Sequence, residues 1–266
     1  MKQIKLNSEQ IKQTKAILKN YRNGVEYDED NDCFDKVDLE KSVVETTPYN
    51  SFSNSRTKDA YKLAKILDVS VCPYCNENYT YTMKSGFRPE FDHFLPKSKY
   101  PALQLSLYNL VPSCHTCNST LKGQKDFRQE PHLNPYKMDF DSIVRFAINI
   151  KDTNYLNEDN FEICFAYKDM DFPDNESAKN NIKDFKLKER YQFHKDEVVK
   201  LAKAAKYYTS YKKKEINELL SEPGLPLVSI LFPDKDCEIN KTSLGKLKRD
   251  ISNFFLEKEN LLTNNC

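Results

Sequence analysis

Two C-x-x-C pairs, Cys72 with Cys75 and Cys114 with Cys117, are the residues of this 266-residue chain whose spacing points most directly to chemistry. Knuckles of this kind on either side of a connecting stretch offer four thiolates to one ion, the tetrahedral set that zinc prefers. With sulfur in all four positions no place remains for water or substrate, so a zinc here staples the fold and does no chemistry. Cys33, Cys164, Cys237 and Cys266 are scattered singly and show no partner pattern. The metal reading suits the expected compartment. Leu225 to Phe232, the longest apolar stretch, is far short of the roughly 20 residues that span a bilayer. The start, MKQIKLNSEQIKQTK, has no apolar secretory core. A cytoplasmic location, with no membrane partner, is expected, and there cysteine clusters bind metal more often than they form disulfides.

Between and beside the pairs lie Asp92-His93, Asn109 and Asn118. The segments DHFLPKSKYP and YNLVPSCHTCNSTLKG resemble the HNH family of ββα-metal endonucleases, in which a strand ends in Asp-His or His-His, a central Asn follows, and a helix bears Asn or His. The subtype with zinc knuckles adds two C-x-x-C pairs. The resemblance covers Cys72 to Gly123. It implies that Asp92 is a ligand of a catalytic Mg²⁺ or Mn²⁺, His93 the general base, Asn109 the residue that orients His93, and Asn118 the second metal ligand.

Those residue types suit the chemistry. An imidazole with an ordinary pKa of about 6.5 accepts a proton from water near neutral pH, provided its other nitrogen is held by an acceptor. A carboxylate and an amide oxygen are hard ligands that leave room around the ion for waters and phosphate oxygens. The family implies hydrolysis to a 5′ phosphate and a 3′ hydroxyl. Bases outnumber acids around this segment, and Lys97, Lys99 and Lys122 are the candidate phosphate contacts. Lys195, Lys200, Lys203, Lys206 and Lys212 to Lys214 form a second basic region that reads as solvated helix surface. His115 reads as solvent-facing; His132 and His194 read as structural.

The elements that must position these residues follow from periodicity. Helices are expected over Gln10 to Tyr21 and Arg56 to Leu67. A hairpin is expected between Tyr79–Thr82 and Phe87–Leu95 around Ser85-Gly86, with a short helix over Asn118 to Lys125. Phe140 to Tyr167 carries no clear assignment. Glu189 to Leu220 reads as one long helix or two, with Phe193, Val198, Leu201, Ala205, Tyr208, Ile216 and Leu219 on its apolar stripe. A last helix is expected from Ser243 to about Leu261. The expected fold is α+β and mostly helical: a helical and acidic segment 1–68, a compact ββα-metal core with the zinc site over 69–130, and a mainly helical region 131–266.

Composition sets outer bounds. Lys plus Arg total 41 against 40 Asp plus Glu, which excludes a uniformly basic nucleic-acid coat. With 39 % apolar residues the chain can build a core, so wholesale disorder is excluded. The near-balance hides segregation, with an acidic run between Glu26 and Glu40 and bases gathered around the candidate site and the late helices.

Taken with SLGKLKRDI near the end, the motifs resemble the HNH subunits of Septu-type bacterial defence operons, some relatives of which accompany retrons. That resemblance implies an SMC- or ABC-like ATPase partner, and in the retron case a reverse transcriptase with its RNA/DNA product. This sequence has no G-x-x-x-x-G-K-[ST] of its own. Two alternatives stand beside it: a restriction or homing-type HNH enzyme acting alone on DNA, and a zinc-stabilised nucleic-acid-binding module that does not cleave. DNA is the favoured nucleic acid, with RNA chemically accessible to the same site.

Overall fold

A computed structural model describes residues 1–21, 48–207 and 239–263, with side chains as far as 255. The acidic run, Cys33, Cys237, Cys266, Tyr208, Lys212 to Lys214, Ile216, Leu219 and Leu225 to Phe232 lie outside the described residues, as does the side chain of Leu261. The fold is mixed α and β with two small antiparallel sheets among the described residues.

The chain enters through the Ser8–Lys19 helix, where the Asn7 side chain accepts from Gln10 N while the Gln10 side chain accepts from Asn7 N, a closed capping box. This helix packs on the Asp59–Leu67 helix. Leu18, Phe52, Ala60, Leu63, Ala64 and Leu67 meet Phe91, Leu105, Leu107 and Leu110 in one apolar cluster. The N-terminal helices therefore cover one side of the ribbon formed by strands β1 (Glu90–His93) and β2 (Leu110–Ser113).

These two strands pair antiparallel, with Glu90 opposite Ser113 and His93 opposite Leu110. Here the structure corrects the expected hairpin, because β1 does not pair with Tyr79–Thr82. That stretch makes only a single bridge, Tyr79 to Val71, and turns away at Met83–Phe87. The partner of β1 is instead the strand that leads into the second cysteine pair. Tight turns at Pro101–Leu103 and Leu107–Asn109 fill the connection, and the helix after the second pair spans Thr116–Lys122 with π-type winding. Its end is set by Gly123, whose φ of +54° with ψ of −121° is a combination that a Cβ would crowd and glycine tolerates.

On the other side of the ribbon a larger apolar cluster takes in the four cysteines, β3 (Val144–Ile150), β4 (Phe161–Tyr167) and the later helices. β3 and β4 form a regular antiparallel ladder from Val144–Tyr167 to Ile150–Phe161. The late helical stretch is broken in two, Leu187–Tyr191 and Lys195–Tyr207, by a 3₁₀ turn at Gln192–His194. Phe193 sits in that turn, off the phase of the following helix, and is 85 % exposed, not on the buried stripe expected of it. Val198, Leu201 and Ala205 are buried as expected.

The Gly245–Thr263 helix lies on β3 and on the Lys195–Tyr207 helix. It buries Leu247, Ile251 and Phe255 together with an ionic cluster. Asp141 accepts from Arg249 (Nη1 to Oδ2, 2.8 Å) and pairs with Lys246, while Lys246 also reaches Asp250 at 2.9 Å. Burial alone would raise the Asp141 pKa, but the Arg249 hydrogen bonds and the Lys246 charge outweigh it and hold the carboxyl below the usual range. A carboxylate lowered in this way stabilises the fold fully above an unfolded pKa of about 4, and that contribution drains away as the pH falls below it. Asp141→Asn is expected to lower unfolding free energy by about 2–3 kcal/mol at pH 7. In a denaturant titration the difference from wild type should shrink at acid pH.

Candidate functional site

The cysteine cluster is the best-defined chemistry. Cys72, Cys75, Cys114 and Cys117 are all buried, and their sulfurs lie within 4.8 Å of one another. Cys75 Sγ and Cys114 Sγ are 4.0 Å apart, too far for a disulfide bond of about 2 Å but close to the edge of roughly 3.8 Å in a tetrahedron with arms of about 2.3 Å. The residues present therefore fit a metal ion. Hydrogen bonds from Cys117, then Cys72 and Cys75, draw the Cys114 thiol far below its ordinary range, toward the thiolate that a metal takes as its ligand. Asn78 Nδ2 donates to Cys114 Sγ at 3.4 Å and Arg190 Nη1 to Cys117 Sγ at 3.5 Å, which partly offsets that charge.

What the cluster positions is visible in the chain path. Cys114 follows the last residue of β2 directly, and Cys117 lies in the first turn of the Thr116–Lys122 helix. Joining them to Cys72 and Cys75 fastens the start of that helix to the ribbon. Asn118 is the next residue. The Gly245–Thr263 helix docks on the same knuckle, since Asn76 Oδ1 accepts from Lys246 N at 2.8 Å and Asn76 O from Leu244 N at 2.7 Å.

Beside the knuckles, Asp92, His93 and Asn118 line a single cavity of about 440 Å³, together with Tyr49, Arg88, Glu90, Lys97, Ser119 and Lys122. His93 closes β1. Its Nε2 lies 3.0 Å from the Gln104 carbonyl and its ring stands edge-on to Tyr49 at 4.4 Å. Burial lowers its pKa to about 3, Lys97 and Lys122 add to the effect, and the Gln104 carbonyl only partly opposes it. The imidazole is therefore neutral near pH 7. A carbonyl can only accept, so Nε2 carries the hydrogen and Nδ1 keeps its lone pair.

The Asn109 side chain makes its hydrogen bonds to the loop that follows His93 and not to the imidazole. Its Oδ1 accepts from Leu95 N at 2.7 Å, and its Nδ2 donates to Leu95 O (3.1 Å) and Leu103 O (3.0 Å). The side chain thus clips together both ends of the loop between His93 and Gln104, fixing the carbonyl on which the imidazole rests.

Asp92 is buried. Its Oδ1 pairs with Lys122 Nζ at 2.9 Å and its Oδ2 accepts from Tyr74 Oη at 2.6 Å. Burial pushes its carboxyl up, against the Lys122 charge and the Tyr74 hydrogen bond. Lys122 is 3 % exposed and also donates to the His93 carbonyl at 2.6 Å. This departs from the expectation that Lys122 meets phosphate: a lysine this deep neutralises Asp92. Asn118 and Lys122 are four residues apart and so share one face of this helix, the face that lies against β1. Lys122→Met is expected to cost about 3 kcal/mol by leaving Asp92 buried without its counter-charge, as measured by denaturant titration. A phosphate-contacting lysine would instead leave stability unchanged and weaken nucleic-acid binding.

Lys97 lines the cavity with its ammonium 4.7 Å from the centre of the Tyr49 ring, and Lys99 is half exposed, paired with Asp126 at 3.3 Å. Of the second basic region, Lys200 pairs with Asp196 and Glu197, as a solvated helix face would. His132 stacks on Phe127 at 3.7 Å and His194 faces Glu77 at 3.2 Å, both in structural settings.

Glu90 lines the same cavity, although it is not among the residues that the motifs single out. Its Oε1 meets His115 Nδ1 at 2.7 Å, and its Oε2 accepts from Asn118 Nδ2 and Ser119 Oγ, each at 2.8 Å. These hydrogen bonds overcome partial burial and hold its carboxyl below the usual range. They also orient the Asn118 amide. The available signal was strand periodicity: residues i and i+2 of β1 share a face, so Glu90 accompanies Asp92.

With this geometry in hand, two curated proteins bear on the chain. Over 46 residues it is 50 % identical to Septu protein PtuB of Bacillus thuringiensis. That stretch is 17 % of this chain and 18 % of the relative. Over 67 residues, 24 % of this chain and 20 % of the relative, it is 39 % identical to Protein ea31 of Escherichia phage lambda. The matches span about a fifth of the length of these curated relatives. No family model and no solved structure matches. Among the described residues no helix is long and apolar enough to cross a membrane.

Proposed function

We propose that this protein is a divalent-metal-dependent endonuclease of the HNH type, acting on DNA in preference to RNA. The observation that carries the reading is the His93 imidazole. It is neutral, held at Nε2 by the Gln104 carbonyl, and shares one cavity with Asp92 and Asn118. An imidazole fixed in this tautomer presents Nδ1 as a proton acceptor for water. Asn109 acts through the loop it clips and is a positioning residue.

Asp92 and Asn118 are the residues that would hold Mg²⁺ or Mn²⁺, with Glu90 orienting the Asn118 amide. Both supply hard oxygen donors, and the Asn118 nitrogen is already engaged by Glu90, which leaves its oxygen to face a cation. A bound ion supplies charge stabilisation at the scissile phosphate and the leaving 3′ oxygen. Lys122, sharing the Asp92 carboxylate, sets how readily that group is released to a cation. Lys97, which lines the cavity, and Lys99, two residues further on and half exposed, are the phosphate contacts. The four cysteines hold a structural zinc that fixes Asn118 relative to β1.

The short similarity to a Septu protein supports a role in anti-phage defence, and the family resemblance implies an SMC- or ABC-like ATPase partner, in a Septu or retron setting. In this reading the nuclease has low activity alone and is licensed within the complex. The test is an assay of the purified chain, with and without an SMC- or ABC-like ATPase of the Septu type. Double-stranded DNA, single-stranded DNA and RNA are offered in Mg²⁺, Mn²⁺ or EDTA. Cleavage that requires the ion and rises with the ATPase is expected. Absence of ion-dependent cleavage under every condition refutes the nuclease, and robust cleavage by the chain alone refutes the licensing.

A further inference from the structure

Large apolar side chains left open to solvent are concentrated in one place. Of the seven exposed among the described residues, four fall within 79–87: Tyr79 at 44 %, Tyr81 at 52 %, Met83 at 60 % and Phe87 at 49 %. Their exposure follows from strand alternation. Thr80 is 1 % exposed, its N donates to Ser70 O at 2.9 Å and its Oγ1 to Val69 O at 2.6 Å. With Thr80 pinned inward, residues 79, 81 and 83 must face outward.

The outward aromatic rings are ordered. Tyr79 and Tyr81 stack with centroids 4.6 Å apart and planes 14° from parallel. A turn closed by Met83 N to Phe87 O at 3.0 Å brings Phe87 back beside Met83. The next residue, Arg88, lines the His93 cavity, its guanidinium anchored to Ser53 Oγ at 2.9 Å. From Tyr79 to Arg88 the ribbon carries Lys84 and Arg88 and no acid, in a chain whose acids and bases otherwise balance.

Exposed ring faces, two cations on a run with no acid of its own, and continuity with the wall of the cavity together describe a surface for unpaired nucleotides. Bases offer π-faces to stack on aromatic side chains and phosphates offer charge to Lys and Arg, whereas a duplex keeps its base faces covered. We infer that the ribbon 79–88 is a stacking platform for a single-stranded stretch of nucleic acid leading into the His93 cavity. The inference rests on the nuclease reading and adds to it a preference for an unpaired strand beside the scissile bond.

Binding is the readout that separates this inference from the nuclease reading. In a His93→Ala background, which removes cutting, the full chain is titrated with a short oligodeoxynucleotide carrying 2-aminopurine, and separately with its blunt duplex. Stacking should quench the probe. Tyr79→Ala with Tyr81→Ala should lower affinity for the single strand by about tenfold or more, with little change for the duplex. The corresponding pair of phenylalanine substitutions should restore it. Equal affinity of the background protein and the double alanine variant for the single strand overturns the platform, and so does an equal loss on single strand and duplex. A double variant that keeps its nucleic-acid affinity but no longer captures the ATPase overturns it in favour of a protein surface. Failure of the nuclease reading shows elsewhere, as equal cleavage by wild type and His93→Ala.

Discussion

Replacing His93 with alanine is expected to reduce metal-dependent cleavage by about 10²- to 10⁴-fold while leaving the fold in place. The range is what a positioned general base contributes, and His93 meets both requirements for one. Its geometry is fixed by the Gln104 carbonyl, itself held by the loop that Asn109 clips. Its protonation state is fixed by burial, which with Lys97 and Lys122 brings the pKa down to about 3. An ordinary histidine would lose its free lone pair as the pH fell through about 6.5. His93 should keep it, so the pH profile of kcat/KM should show no acid limb near that value. Stability carries the same sign. The unfolded chain takes up this proton near pH 6.5 and the folded chain only near 3, so stability is lost as the pH falls between them. Circular dichroism should confirm that the variant is folded. Wild-type activity in a folded variant would remove His93 from the mechanism.

The candidate site residues are more legible in the sequence than the elements that carry them. Two C-x-x-C pairs declare themselves by spacing alone, because a tetrahedral thiolate site constrains sequence more tightly than any strand does. Glu90 escaped notice because a single acid near bases reads as background until strand register places it two residues from Asp92 on the same face. Lys122 stands out in the sequence but in another role. Charge alone sends a lysine to a phosphate at the surface, and only the packing of its helix against β1 turns it inward to Asp92.

Among the elements, the Asp59–Leu67 helix follows from its apolar spacing. The β3–β4 ladder does not, although Val144, Phe146 and Ile148 alternate against Ile163, Phe165 and Tyr167. Its acidic, Asn-rich connection is longer than the short turns by which hairpins announce themselves. The pairing of β1 was misread for a related reason. Ser85-Gly86 does make a local turn, but β1 gains its partner from beyond that turn, where Pro112 and Val111 oppose Phe91 and Asp92. Register there answers to burial on both sides of the ribbon, a tertiary constraint that no local turn signal carries.

Removal of metal from the cysteine knuckles should have a larger effect on the fold than any single substitution outside them. Structural zinc sites contribute about 10–16 kcal/mol of apparent binding free energy, which matches or exceeds the 5–15 kcal/mol by which domains of this size are stable. The four sulfurs here are buried in the same cluster as β3, β4 and the late helices, so a loosened knuckle opens the larger of the two apolar cores. It also frees the Asn118 helix from β1 and the docking point at Asn76 for the Gly245–Thr263 helix. Without an ion, thiolate charge at the knuckles would be met by Asn78 at Cys114 and Arg190 at Cys117 in place of a dication. Cys114→Ser is therefore expected to yield protein without zinc that has lost its cooperative thermal transition, and wild type treated with a strong chelator should follow it. Elemental analysis should give one zinc per wild-type chain, and none of the four cysteines should react with a thiol reagent until the metal leaves. A Cys114→Ser protein that melts like wild type would show that the knuckles stand without an ion, and Asn118 would then owe its position to packing alone.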